Sequence, residues 1–351
     1  MKRILLLGII AFLALVAFRN DENFSVPTGW PKPHYDFSKN PPSRAKIELG
    51  RALFYDPILS RNSTISCASC HSQYTAFTHV DHALSHGIDD RIGTRNSPAL
   101  MNLAWSKDFM WDGAVNHLDM QALAPMSNPL EMDETMTHVV HKLSETSLYP
   151  SLFRTAYGDT AITGERLLKA MSQFMLTLVS AHSKYDSVQR GQALFTAQEQ
   201  NGYRLFQSKC NSCHTEPLFT NYQFENNGLP LDTTLMDYGR MSVTKQASDS
   251  LKFKVPTLRN VEFSSPYMHD GRFKRLRDVL KHYTSIRQSG TVSNKLQPMN
   301  FTSNEMVDLT ALAGVAGERI RRHVGKGREW ISATPFVPPR HIKKHGSNTL
   351  E

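Results

Sequence analysis

The pattern Cys-x-x-Cys-His occurs twice, as Cys67-Ala68-Ser69-Cys70-His71 and as Cys210-Asn211-Ser212-Cys213-His214, and the two copies use all four cysteines of the 351-residue chain. Nothing else in the sequence constrains the fold as much. Two thiols three positions apart on a helical turn can each add across a vinyl group of one porphyrin. The adjacent imidazole then reaches the iron as its proximal ligand, which makes the pattern the attachment signature of a c-type haem. A redox dithiol would not need the histidine twice, and no further cysteine exists to complete a tetrathiolate zinc site. The chain is therefore expected to hold two covalent c-type haems and, with every cysteine engaged, no disulfide.

The amino terminus supports the compartment such chemistry needs. Met1-Lys2-Arg3 precedes an uncharged run from Ile4 to Phe18, a basic start followed by an apolar stretch too short for a comfortable membrane span. Residues 1–22 read as a signal peptide or, because Leu15-Val16-Ala17 makes a poor cleavage site, as an uncleaved anchor tethering the protein to the membrane. Either way the chain is expected in the periplasm. The 40 Lys and Arg against 32 Asp and Glu give a net charge of +8, spread along the chain with no nucleic-acid motif behind it. A basic face that steers an acidic electron-donor protein is the more modest inference.

An internal repeat organises the chain beyond the leader. Gly50-Arg51-Ala52-Leu53-Phe54 precedes the first haem motif and Gly202-Tyr203-Arg204-Leu205-Phe206 precedes the second, the first copy having about nine extra residues before its cysteines. Two copies of one cytochrome c unit is the simplest account. Leu167, Leu168, Met171, Phe174, Met175, Leu178 and Val179 recur at helical spacing and predict an amphipathic helix closing the first unit. The polar stretch from Ser183 to Glu199 marks the boundary, and Thr302-Ser303-Asn304-Glu305 is a capping box opening a late helix with Met306, Leu309, Leu312 and Ala316 on one side. No segment alternates long enough for a large sheet. The expected fold is mainly α, with two cytochrome c-like domains over 30–185 and 186–333, each enclosing one haem. Residues 334–351, with Pro335, Pro338, Pro339, Arg340, Lys343 and Lys344, predict a flexible basic tail.

Haem attachment alone would suit an electron carrier; the motifs between the haem sites argue for an enzyme. They are Arg95-Asn96-Ser97-Pro98, Met110-Trp111-Asp112-Gly113, Gln121-Ala122-Leu123-Ala124-Pro125 and Asn128-Pro129-Leu130-Glu131-Met132. Val255-Pro256-Thr257-Leu258-Arg259-Asn260 and Ser265-Pro266-Tyr267-Met268-His269-Asp270-Gly271 come after the second haem motif. In these motifs, their order and their spacing, the chain resembles the bacterial dihaem cytochrome c peroxidases and their relatives of the MauG type, from about Leu49 to about Ala316.

The resemblance implies roles. Peroxide cleavage needs an open iron position and a group that moves a proton from the near oxygen to the far one. Glu131 matches the family's distal glutamate and Gln121 its hydrogen-bonding partner, although a lone Glu before Met would by itself more often be a solvated surface residue. Trp111 matches the tryptophan between the two haems; packing as an aromatic core plug is compatible with that. Asn96 matches the side-chain ligand of an interhaem calcium, with the carbonyls of Ser264 (usually Thr in the family) and Pro266 completing the protein's share. His86, in Leu84-Ser85-His86-Gly87-Ile88, falls nearest the distal histidine of the methionine-ligated peroxidases, with His79 and His82 as competitors.

The second haem separates the two branches. Methionine-ligated peroxidases place that ligand fourteen residues beyond the histidine of P-Y-x-H; counting from His269 gives Tyr283. Tyrosine at this place resembles the MauG-like proteins, and a hard phenolate favours higher oxidation states where a soft thioether favours ferrous iron. The alternative is that Tyr283 only packs and Met268 or His282 binds. The expected function is peroxide reduction at the first haem, with oxidising equivalents shared with or supplied through the second. The electrons would come from a small periplasmic donor protein. A MauG-like enzyme oxidising residues of a partner protein is the second reading, and a non-catalytic carrier the third. Oligomeric state stays open between monomer and homodimer.

Overall fold

The computed structural model describes residues 24–288 and 290–318. The expected leader (1–22), the basic tail (334–351) and the end of the second expected domain (319–333) lie outside the described residues. What is described is mainly helical. The helices of nine residues or more are α1 (Arg44–Tyr55), α2 (Met136–Ser144), α3 (Leu148–Tyr157), α4 (Gly164–Leu176), α5 (Ala197–Lys209), α6 (Leu276–Thr284) and α7 (Ser303–Val315). Long loops and single turns join them. Among the described residues the strands are two short ones, β1 (Phe224–Glu225) and β2 (Phe253–Lys254), paired antiparallel.

Local chemistry sets the helix starts. The Ser43 hydroxyl accepts from the Lys46 amide at 3.2 Å to open α1, and Thr163 accepts from Arg166 to open α4. Both α5 and α7 begin with a complete capping box, Thr196 with Glu199 and Thr302 with Glu305. The helix expected through Val179 ends earlier, at Leu176: Thr177 turns its amide and its hydroxyl onto the Phe174 carbonyl. Leu178 nevertheless stays buried, in one core with Phe54, Phe77 and Phe174.

The repeated glycines are the crossing points of two helix pairs. A methyl group on Gly50 of α1 would stand 1.9 Å from the Ala170 carbonyl oxygen of α4. One on Gly202 of α5 would stand 2.1 Å from the Asp308 carbonyl oxygen of α7. Such distances are inside van der Waals contact, so only glycine lets these helices meet. The residues after each glycine are carried inward: Leu53 and Phe54 are fully buried, and Phe206 packs with Tyr185, Phe219, Leu309, Leu312 and Ala316. A further core joins α1 and α4 to α2 and α3 through Val139, Leu143, Tyr149 and Phe153.

The two halves of the chain are tied by charge. Arg95 donates to Asp112 at 2.7 Å and, from Nε, to Asp237 at 2.6 Å, and both carboxylates are buried to 10% or less side-chain exposure. Arg240 donates to the carbonyls of Asp112 and Gly113, while its guanidinium lies 4.2 Å from the Phe224 ring centroid. The Trp111-Asp112-Gly113 loop is thus clamped from both sides.

Candidate active site

The first Cys-x-x-Cys-His begins a one-turn helix, Cys67–Cys70, followed directly by His71. His71 Nδ1 lies 2.8 Å from the Phe77 carbonyl, so this nitrogen carries the proton and Nε2 keeps its lone pair. Cys67, Cys70 and His71 line a small cavity of about 40 Å³ together with Phe54, Gln121, Glu131 and Met175. The expected acid/base carboxylate therefore shares a cavity with the expected proximal histidine, from residues 60 positions apart in the chain.

Glu131 is held by its neighbours rather than by Gln121. Its Oε1 accepts from the Asn128 side-chain amide at 2.7 Å, and its carbonyl accepts from the Ile88 amide at 2.8 Å. Gly87 makes that contact feasible, since a methyl group there would meet the Leu130 carbonyl at 2.1 Å. Burial raises the Glu131 carboxyl above the usual carboxylate range, against the opposing hydrogen bond from Asn128. Gln121 instead sets its amide nitrogen 3.9 Å from the sulfur of Met110, which lines the neighbouring larger cavity. His86 is not among the residues lining either cavity. Its Nδ1 lies 3.0 Å from Asp90 and its ring stacks on His82 with centroids 4.0 Å apart.

The larger cavity, of about 310 Å³, is lined by Cys210, Cys213 and His214. Apolar walls come from Phe206, Phe219, Leu280 and Leu312. His214 repeats the first site, its Nδ1 lying 3.1 Å from the Pro256 carbonyl and 3.3 Å from that of Phe219. Tyr283, from the last turn of α6, lines the same cavity, and burial pushes its phenol up to about 12. Met268 also lines it, with the Asn227 amide 3.4 Å from its sulfur. His282 does not; its Nε2 lies 2.9 Å from the Asn227 carbonyl. Of the three candidate ligands, Tyr283 and Met268 reach the cavity and His282 is turned away.

Trp111, Asn96, Ser264 and Pro266 line this cavity too. The Trp111 indole donates to the Asn96 carbonyl at 2.8 Å, and the Asn96 amide nitrogen donates to the Ala83 carbonyl at 3.0 Å. That second bond turns the planar amide so that Oδ1 faces the opposite side, an oxygen donor of the kind calcium takes.

The donor sets at both cavities fit a c-type haem. Each offers two cysteines and an imidazole whose proton is fixed on Nδ1. Burial pulls both His71 and His214 down to about 4, leaving them neutral and able to ligate. Burial also raises Cys67 and Cys210 to about 12, which is unlike the depressed thiols of a redox dithiol. The larger cavity adds apolar walls for a macrocycle. At the smaller one, where the walls stand closer, the fit rests on the donor set.

Several residues around these cavities escaped the sequence: Asn128, Asn227, Asp237, Arg240 and Lys254. Lys254 lies beside Trp111, its ammonium donating to the Asp108 carbonyl at 2.6 Å and its backbone amide to the Trp111 carbonyl at 2.8 Å. Only Asn128 carried a local signal, three residues before Glu131 in a motif already singled out.

Comparisons with known proteins place the chain among relatives of one kind. The family described as di-haem cytochrome c peroxidase matches residues 44–194. The methylamine utilization protein MauG of Methylorubrum extorquens is 34% identical over 283 residues, covering 78% of each chain. The cytochrome c551 peroxidase of Nitrosomonas europaea is 35% identical over 236 residues, 66% of this chain and 70% of that one. Among solved structures, a MauG-like protein associated with microbial copper homeostasis aligns with a TM-score of 0.78 at 28% identity, covering 85% of this chain and 96% of that one.

Proposed function

The chain belongs to the dihaem cytochrome c peroxidase and MauG family and is an oxidoreductase acting on peroxide; from that premise we propose a division of labour among its residues. Two c-type haems are held in cytochrome c-like units over 30–185 and 186–333, the first by Cys67, Cys70 and His71 and the second by Cys210, Cys213 and His214. Hydrogen peroxide is reduced in the first unit, and its oxidising equivalents are shared with or supplied through the second. Residues 1–22 direct the chain to the periplasm, where a small electron-donor protein or a protein substrate meets it.

Bound haem supplies an iron at which peroxide is reduced and through which electrons pass. The chain supplies the proton chemistry. Glu131 takes the proton from one peroxide oxygen and returns it to the other, and the Asn128 amide on Oε1 leaves Oε2 free for the transfer. Raising the carboxyl by burial brings its proton affinity nearer the working pH, where acid/base exchange is most efficient. Gln121 orients the substrate in the same cavity. Trp111, held at both its indole nitrogen and its backbone, serves as the relay between units. Asn96 Oδ1 and the carbonyls of Ser264 and Pro266 hold a calcium ion beside it. The observation that carries the proposal is the single cavity shared by Glu131, Gln121 and His71.

Tyr283 favours MauG-like behaviour within this family, since its hydroxyl-bearing ring lines the cavity of Cys210, Cys213 and His214. His86, which lines neither cavity, takes no part in this proton transfer. Two measurements test the whole. The loaded protein should carry two haems per chain by pyridine haemochrome, and stoichiometric peroxide should change the spectrum of the ferric protein without prior reduction. A ratio near one, or a spectrum indifferent to peroxide, would overturn the assignment.

A further inference from the structure

Behind the larger cavity stands a pair of tyrosines that the mechanism does not use. Phe219 lines the cavity, and the ring of Tyr185 meets it edge-on with centroids 4.8 Å apart. Tyr185 is buried, on the short helix Lys184–Gln189. Its ring lies 6.3 Å, centroid to centroid, from that of Tyr203 on α5, which is half-buried and reaches the surface. The two phenols share one acceptor atom: Tyr185 donates to Glu216 Oε1 at 2.5 Å, and Tyr203 donates to the same oxygen at 3.0 Å. Burial raises both phenols, Tyr203 to about 12, so each is a neutral phenol at rest and cannot give up an electron without also shedding its proton.

We propose that Tyr203 is the surface terminal of an electron route into the larger cavity, running Tyr203 to Tyr185 to Phe219, with Glu216 as the proton acceptor for both tyrosines. The proposal rests on the reading that oxidising equivalents of peroxide reach the haem held by Cys210, Cys213 and His214. In the first step Tyr185 loses one electron, across Phe219, to that oxidised centre, and its hydroxyl proton passes to Glu216 Oε1. In the second, Tyr203 loses one electron to the Tyr185 phenoxyl. Glu216 then returns its proton to Tyr185 and takes the one Tyr203 releases. Atoms and charge balance, and the oxidant is the peroxide of the enzyme's own reaction.

Direction comes from Arg259. Its guanidinium lies 5.6 Å from the Tyr185 ring centroid and is bonded to Asp186. A cation over an aromatic face favours the electron-rich reduced ring. Tyr203 carries no such contact among those described, so the oxidised state moves outward. A donor protein, or an oxidisable side chain of a partner, would deliver its electron at Tyr203.

The test uses the loaded protein with stoichiometric peroxide and no donor, a nitroso spin trap, and mass spectrometry to locate the adduct. Wild type should carry an adduct at Tyr203. Tyr203→Phe should lose it, Tyr185→Phe should lose it at Tyr203, and Glu216→Gln should diminish it, while the haem spectrum responds to peroxide as in wild type. An adduct at Tyr203 that survives Tyr185→Phe, or one undiminished in Glu216→Gln, overturns the route. So does a responding haem spectrum with no adduct at either tyrosine. A wild-type spectrum that does not respond overturns the proposed function and the route with it.

Discussion

Glu131 shows how one residue acquires its chemistry from its surroundings. Its side chain stands in a small cavity with one amide on Oε1, so burial favours the neutral acid and the carboxyl is raised. Glu131→Gln should cut peroxide turnover by about 10²–10⁴-fold, the usual share of a general acid/base, while both haems stay attached. The sign of the pH dependence comes from the same burial. Proton uptake from peroxide needs the carboxylate, so the rate should fall as pH drops through the raised value, at a higher pH than an ordinary glutamate would give. A pH–rate profile whose acid limb persists in Glu131→Gln would assign that limb elsewhere. Tyr283 carries the second prediction at this scale. Tyr283→Phe removes the phenol oxygen, so the ferric spectrum should change as the position opens or Met268 moves in. An unchanged spectrum, or a thioether–iron charge-transfer band in the wild type, would return the ligand to Met268.

Among the elements, the two glycine crossings matter most. Helices α1 and α4, and α5 and α7, approach so closely that a single methyl group at Gly50 or Gly202 falls on a backbone carbonyl. Backbone cannot step aside as a flexible side chain can, so the helices must separate. Gly50→Ala and Gly202→Ala should each cost about 1–3 kcal/mol, the range of an overpacked core, read as a lowered thermal midpoint. The perturbation should also be local. Gly50→Ala should disturb chiefly the spectrum of the first haem, through Phe54, and Gly202→Ala that of the second, through Phe206. Equal disturbance of both haems by either variant would count against two separately built units.

For the whole molecule, Arg95 decides whether the halves keep their relation. It faces Asp112 from its own half and Asp237 from the other, and both are nearly sealed from water. Removing one partner of a buried ion pair typically costs about 3–5 kcal/mol, because the remaining charges are stranded. Arg95→Ala should reach that range by chemical denaturation. Burial pulls the Asp237 carboxyl up, but the hydrogen bond and charge of Arg95 outweigh it and hold the carboxyl low. A carboxyl lowered on folding adds stability above its unfolded pKa of about 4, lost as pH falls through the lower folded value. Arg95→Ala should therefore flatten the acid side of the stability profile. The proposed calcium belongs to this scale too, since Asn96 and Ser264 come from different halves. Chelation should shift the haem spectra and slow turnover, and spectra that ignore chelators would remove the ion from the account.

Much of this protein was legible in its residue order because its chemistry is local. Cys-x-x-Cys-His places three groups on one turn, the repeat of Gly-x-x-Leu-Phe announces two like helices, and Thr-x-x-Glu caps α5 and α7. Each of these signals acts within five residues, where the backbone leaves few alternatives. The order of motifs also pointed to Glu131 and Trp111, through the resemblance rather than through any property a lone glutamate or tryptophan displays. Tertiary structure alone decided what the long loops do. Gly87 brings the 130–131 backbone against its own loop, Asn128 donates to the carboxylate that Gln121 was expected to hold, and His86 sets its Nδ1 on Asp90 and its ring on His82. No sequence period foretells such pairings, because loop residues are matched by where the chain returns in space and not by spacing along it. Tyr185, Tyr203 and Glu216 are the clearest case, three residues from three separate segments whose hydroxyls and carboxylate meet at one oxygen atom once the chain has folded back on itself.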